Sequence, residues 1–235
     1  QLLVGGIAQF RVVLEQGEGL APRLLQDRQV GQRIAHPHDG RTALLAVIRN
    51  EDPLDVAAHL RAMDDDISGH GASEDFDIFV LSDTSDGEIA LRERGLFADD
   101  PPTFKSALFY RRRATNIGMK AGNVADWVRT FGGGYDTMVV LDADSYMSAE
   151  CLQRLRAIMA ARPDIGLVQT TPSAINGETL FARYQQYSMR LYGGIASAGL
   201  AWWSGAEAPY WGHNAIVRVR AFAANAGLPR LPGKP

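Results

Sequence analysis

Thr137-Met138-Val139-Val140-Leu141-Asp142-Ala143-Asp144-Ser145 is the stretch whose chemistry decides the fold. A short unbroken apolar run ends abruptly in two carboxylates one residue apart. Such a run, too short for a buried helix, fits a strand covered on both faces. Unpaired charge is costly inside a core, so the strand must stop at Leu141 and present Asp142 and Asp144 at the rim of a sheet.

Working outward, the same pattern repeats. Ala43 to Ile48, Phe76 to Leu81, Ala107 to Tyr110 and Ile165 to Gln169 read as further strands, and Ala215 to Val219 as another apolar strand. Between them lie helical stretches: Leu54 to about Asp66, Asp86 to Arg94, Met119 to Arg129, Ala149 to Ala161, and an amphipathic segment from Thr179 to Tyr192. Strands alternating with helices predict an α/β domain, a mostly parallel sheet with helices on both faces. Ligands of such sheets sit beyond the carboxyl ends of the strands. The residues there are Asn50-Glu51, Asp83, Arg111-Arg112-Arg113, Asp142 with Asp144, and Gln169-Thr170. Four of these five sets carry charge, which a core does not need and a polyphosphate site does.

Composition sets the outer limits. The chain has 235 residues, 46% of them apolar, which is enough for a core. A net charge of −3 argues against a nucleic-acid binder. The single cysteine, Cys151, excludes a disulfide framework and reads as a small apolar helix residue. No run of about 18 apolar residues exists to span a bilayer. Residues 1–40, broken by Gly17, Gly19 and Pro22 and ending in His36-Pro37-His38-Asp39-Gly40, read as a loosely packed arm and linker. The domain proper is expected over 41–235. The start at Gln1 and the loop-like end at Gly233-Lys234-Pro235 suggest a piece of a longer polypeptide.

Each strand-end group has a chemical reading and a plain one. Asp142 and Asp144 suit a hard divalent cation, Mg²⁺ or Mn²⁺, which takes oxygen ligands and keeps positions open for phosphates. The plain alternative is a pair of turn aspartates capping the next helix. Asp83 is either a hydrogen-bond acceptor for a base or ribose, or an N-cap. Glu51, beside Asn50, is a candidate ribose acceptor in a stretch, Asn50-Glu51-Asp52-Pro53, that equally suits a helix start. Arg111-Arg112-Arg113 and Lys120-Ala121-Gly122-Asn123 form a basic segment fit for phosphates, with Gly122 allowing close backbone approach; the alternative is a solvated basic face. Trp202, Trp203 and Trp211 can stack on sugar rings or simply pack. His213 lacks nearby partners for a metal.

Taken in order, these motifs resemble the inverting family 2 glycosyltransferases of GT-A fold, the group that includes cellulose synthase. They resemble more closely the glucan biosynthesis glucosyltransferase H family. Tyr110-Arg111-Arg112-Arg113 and Trp211-Gly212-His213-Asn214-Ala215-Ile216 are the more specific matches, and the likeness covers about residues 41–235. It implies UDP-glucose as donor, Mg²⁺ or Mn²⁺ as cofactor, a growing β-1,2-linked glucan as acceptor and acyl carrier protein as a partner. It implies a cytoplasmic domain of a bacterial inner-membrane protein, with membrane attachment elsewhere in the polypeptide. By the same likeness Asn50, Glu51, Asp83, Arg113, Lys120 and Asp142 hold the donor and Asp142 and Asp144 the metal. Trp211, Gly212, His213 and Asn214 line the acceptor site.

Two other functions share parts of the pattern. A haloacid-dehalogenase-type phosphatase also uses Asp-x-Asp after a strand, but needs a downstream Lys and acidic pair; here Lys234 alone follows. A non-catalytic nucleotide-binding module needs only the crevice. A dinucleotide oxidoreductase is disfavoured, because no G-x-G-x-x-G follows the first strand. An inverting transferase needs a general base. The family's base aspartate and Arg-Trp motif are expected beyond Pro235, so the domain is expected incomplete at its C-terminal end. The 235-residue chain alone is therefore expected to show no turnover of UDP-glucose; glucose transfer at a normal rate would contradict this.

Overall fold

A computed structural model describes residues 7–8, 40–204 and 210–226. The strands are β1 (Ile7–Ala8), β2 (Thr42–Ile48), β3 (Phe76–Ser82), β4 (Ala107–Arg112), β5 (Thr137–Asp142), β6 (Leu167–Thr170) and β7 (Ala215–Arg218). The main helices are α1 (Pro53–Gly69), α2 (Gly87–Arg94), α3 (Met119–Phe131), α4 (Ala149–Ala161), α5 (Leu180–Ser204) and α6 (Val219–Asn225). The strands form one sheet in the order β1-β6-β7-β5-β2-β3-β4. β5, β2, β3 and β4 are mutually parallel.

Alternation along the strands builds two cores. Leu44, Ala46, Ile48, Ile78, Val80, Val139 and Leu141 face α1 and α4 through Val56, Leu60, Met63, Leu152 and Leu155. Ala43, Leu45, Phe79, Leu81, Met138 and Val140 face α3 through Val124, Trp127 and Phe131. The Phe79 and Trp127 rings meet edge-on with centroids 5.3 Å apart. Asp77, an acid inside β3, is buried but satisfied by Arg41 at 2.7 Å and the Tyr135 hydroxyl at 2.6 Å. Burial first, then that carboxylate, pushes the Tyr135 phenol well above its ordinary range and keeps it a donor.

The chain runs from β2 outward to β3 and β4, then crosses back to place β5 on the other side of β2. The switch point therefore falls between the carboxyl ends of β2 and β5, where a crevice must open.

The structure departs from the sequence reading in four places. β7 inserts antiparallel between β5 and β6, a direction that apolar periodicity does not encode. Val219, read as the end of that strand, begins α6. β6 starts at Leu167 rather than Ile165. α5 continues through Gly193-Gly194 to Ser204, and no residue of it is fully buried, so it covers the core far less than an amphipathic helix would. Ile7–Ala8 pairs with β6, while the rest of the expected arm lies outside the described residues. Among the described residues no helix is long and apolar enough to cross a membrane.

Trp127 is fully buried and touches both Phe79 and Tyr135. Trp127→Ala is expected to lower unfolding free energy by about 3–5 kcal/mol, measured by urea denaturation.

Candidate functional site

The crevice at the switch point is lined by Arg49, Glu51, Asp83, Asn116, Lys120, Asp142 and Asp144, over the backbone of Val47 and Ile48. Five charged residues singled out in the sequence thus converge, although they come from three strand ends and one helix: Glu51, Asp83, Asp142 and Asp144, and Lys120 from α3.

Local backbone chemistry resolves the plain alternatives. α4 is capped by Ser148, whose hydroxyl accepts from Cys151 N–H, so neither Asp142 nor Asp144 is spent on it. Instead, Asp142 N–H donates to Ser145 Oγ and Ser145 N–H to the Asp142 carbonyl, a tight turn that holds both carboxylates at the rim. α2 is capped by Asp86, which accepts from Glu88 and Ile89, and this leaves Asp83 uncommitted to capping. α1 is capped by Asp52 with Pro53 at its first position, which frees Glu51. Glu51 folds back to accept from the Arg49 N–H.

Asp142 is the most contested group. The Lys120 ammonium forms an ion pair with one of its oxygens, and His213 Nε2 lies 3.9 Å from the other. Burial, and then the Asp142 charge, raises the Tyr210 phenol beyond its usual range. Asp144 is exposed and has no ion pair or hydrogen bond among the described residues.

The basic segment folds differently from the reading above. Arg111 is inside β4, bonded to Asp126 at 2.6 Å and to Asn123; burial foremost lowers its pKa, with Asp126 opposing. Arg112 donates through Nε to the Thr84 carbonyl. Arg113 grips Asp83 with two 2.7 Å bonds and gives its remaining donors to Asn116, Ile117 and Met119. None of the three forms a free phosphate-binding loop. Arg113 lines a neighbouring crevice with Tyr110 and Arg112, and acts on the main one by holding Asp83. Gly122 also serves the protein: a methyl there would run into the Ile117 carbonyl group, so its bareness lets the loop before α3 close onto the helix.

Asn50 does not line the crevice. Its φ is 66°, and its side-chain oxygen accepts from Ser85 and Asp86, tying two loops together. The Trp211–Asn214 turn is set by Gly212 at φ 93° and pinned by Trp211 N–H to Gln169 and Asn214 N–H to the Val140 carbonyl. That turn brings His213 to Asp142, and Trp211 stays partly exposed beside it. Arg49 and Asn116 escaped the sequence reading. Only Arg49 left a signal, as the first charge after β2.

A divalent cation fits this donor set only in a particular way. Among the described residues no group of three or more His, Cys, Asp or Glu could enclose one. Two rim carboxylates leave most coordination positions open, the arrangement that Mg²⁺ and Mn²⁺ adopt when phosphate oxygens complete the shell.

Residues 137–232, from the start of β5 onward, match the family described as "Glycosyl transferase family group 2". The stretch that carries Asp142 and Asp144 is thus similar to family group 2 glycosyltransferases. Over 193 residues, 82% of the chain, it is 53% identical to "Glucans biosynthesis glucosyltransferase H" of Caulobacter vibrioides (strain NA1000 / CB15N). It is 52% identical over 196 residues to the protein of the same name in Xanthomonas campestris pv. campestris (strain B100). The chain is a homologue of the glucan biosynthesis glucosyltransferase H family, and it spans 29% and 30% of the length of these two relatives. Solved structures that align with it include S. aureus TarS 1-349, with TM-score 0.37 and 15% identity over 60% of this chain and 38% of that one. The apo WbbM bifunctional glycosyltransferase aligns with TM-score 0.39 and 13% identity over 78% of this chain and 32% of that one.

The Arg113–Asp83 pair has side-chain exposures of 11% and 3%. Arg113→Ala strands a buried carboxylate and is expected to cost about 3–5 kcal/mol of stability in a denaturant titration. Arg49→Ala, at an exposed site, is expected to change stability by less than about 0.5 kcal/mol. Equal effects would show that Arg113 does not hold the site together.

Proposed function

We propose that this chain is the donor-binding domain of a glucosyltransferase that builds a β-glucan from UDP-glucose with Mg²⁺ or Mn²⁺. One observation carries this reading: the crevice at the β2/β5 switch point collects Glu51, Asp83, Lys120, Asp142 and Asp144 and leaves Asp144 without a partner among the described residues. A nucleoside diphosphate is the ligand class that uses both halves of that set.

In this reading Glu51 accepts from a ribose hydroxyl. Asp83, oriented by Arg113, offers its remaining lone pairs to the edge of the base. Asp142 and Asp144 would hold the divalent cation, which supplies charge neutralisation to the departing diphosphate. Lys120, which forms an ion pair with Asp142, moves its ammonium to a phosphate oxygen when the donor enters, so one cation serves two anions in turn. Trp211, with the pinned turn through Gly212, His213 and Asn214, presents a flat apolar face to the acceptor sugar at the end of the crevice nearest Asp142. The acceptor's proton requires a base, and in this reading an aspartate of the whole transferase takes it. Acyl carrier protein as a partner and attachment to the inner membrane belong to the same proposal, by way of the resemblance. The non-catalytic module differs from this reading only in lacking turnover by the whole protein.

Calorimetry of UDP binding, with and without Mn²⁺, tests the reading. Wild type is expected to bind UDP in a Mn²⁺-dependent manner. Asp144→Ala is expected to weaken binding about tenfold or more and to abolish that dependence. Lys120→Met should act with opposite signs, weakening UDP but strengthening Mn²⁺ binding in the absence of nucleotide. UDP binding indifferent to both metal and Asp144 would refute the assignment.

A further inference from the structure

Behind the crevice, α2 carries Glu93. Its exposure is 0%. One carboxylate oxygen accepts from Ser82 Oγ at 2.6 Å and from the Tyr110 hydroxyl at 3.2 Å; the other accepts from Thr84 Oγ1. Among the described residues no Lys, Arg or His pairs with it. A fully buried carboxylate served by hydroxyls alone is a poor device for stability, since its desolvation is offset by no opposite charge.

Its value lies in direction. A hydroxyl can donate or accept, but a carboxylate only accepts. Thr84 must therefore point its proton at Glu93, which turns its lone pairs to the Asn50 N–H, 3.0 Å away. Ser82 must do the same, and its lone pairs receive the Thr84 N–H at 3.1 Å. The Thr84 carbonyl then takes Arg112, and the Ser82 carbonyl takes the Arg113 N–H. The Tyr110 phenol, pushed up to about 12 chiefly by burial and next by Glu93, stays a donor. One acceptor-only group thus orders three strand ends: the loop with Glu51, the turn with Asp83, and the segment with Arg113.

We infer that Glu93 is a positioning residue for the nucleoside half of the donor site, acting through Thr84 and Asn50 on Glu51 and through Ser82 on Asp83. The inference rests on the nucleotide reading above. Among the described residues Lys120, Asp142 and Asp144 make no hydrogen bond to Glu93, Ser82, Thr84 or Asn50, and the one link to their side runs at a remove, through Arg113 to the Ile117 and Met119 carbonyls, so the diphosphate half is expected to be spared.

The test is therefore a split between two ligands, titrated in the presence of Mn²⁺ into the full chain: UDP, which needs both halves, and inorganic pyrophosphate, which needs one. Glu93→Gln keeps the shape but turns a donor toward hydroxyls that must themselves donate. It is expected to weaken UDP about tenfold and to leave pyrophosphate within about twofold of wild type. Thr84→Val, which removes the relay hydroxyl without touching Glu93, should give the same split, and Thr84→Ser should restore UDP binding. If Glu93→Gln does not fold, the Thr84 pair decides alone. UDP unchanged in the folded variants, or both ligands weakened alike, overturns the inference. Failure of wild type to bind UDP would instead overturn the nucleotide reading.

Discussion

A parallel strand buried on both faces cannot hold an unpaired charge, and the site follows from that constraint. Each central strand stays apolar until it leaves the sheet, with Asp77 in β3 an exception that Arg41 and Tyr135 neutralise. Charged groups are therefore pushed to the carboxyl rim. The order of the sheet then does the selecting: because the chain returns from β4 to lay β5 beside β2, the rims of those two strands face one gap. Glu51 and Asp142 meet across it while lying far apart in sequence. Lys120 is held there by α3, the helix that makes the return crossing, and its ammonium balances the acid cluster.

Much of this was legible in the sequence, and the reason is chemical discontinuity. A strand such as Thr137 to Leu141 that ends in Asp-x-Asp announces both its burial and its end. The helix starts were legible in type but not in assignment. Asp52, Asp86 and Ser148 cap, and their neighbours Glu51, Asp83 and Asp142 do not; the difference lies in which side chain reaches its own N–H groups. That depends on backbone angles a composition pattern does not carry.

What remained hidden depends on long-range pairing. Arg113 looked like a ligand-binding cation because its partner Asp83 lies thirty residues earlier. Gly122 looked like a ligand contact, yet the backbone it admits is that of Ile117. Glu93 sits between Arg92 and Arg94 and reads as part of a solvated helix face; only the arrival of Ser82, Thr84 and Tyr110 from two strands makes it a buried acceptor. The antiparallel insertion of β7 is of the same kind. Its residues have strand character, but their direction is fixed by where α5 and the turn at Trp211 deliver them.

In the proposed function Lys120 and a metal–diphosphate unit exchange places on Asp142. Crystals of the full chain grown with UDP and Mn²⁺, recorded where manganese scatters anomalously, test this most directly. The anomalous peak should lie between Asp142 and Asp144 and touch the diphosphate, with the Lys120 ammonium moved onto a phosphate oxygen. A peak elsewhere, or a bound UDP with Lys120 still seated on Asp142 and no manganese beside it, would contradict the mechanism.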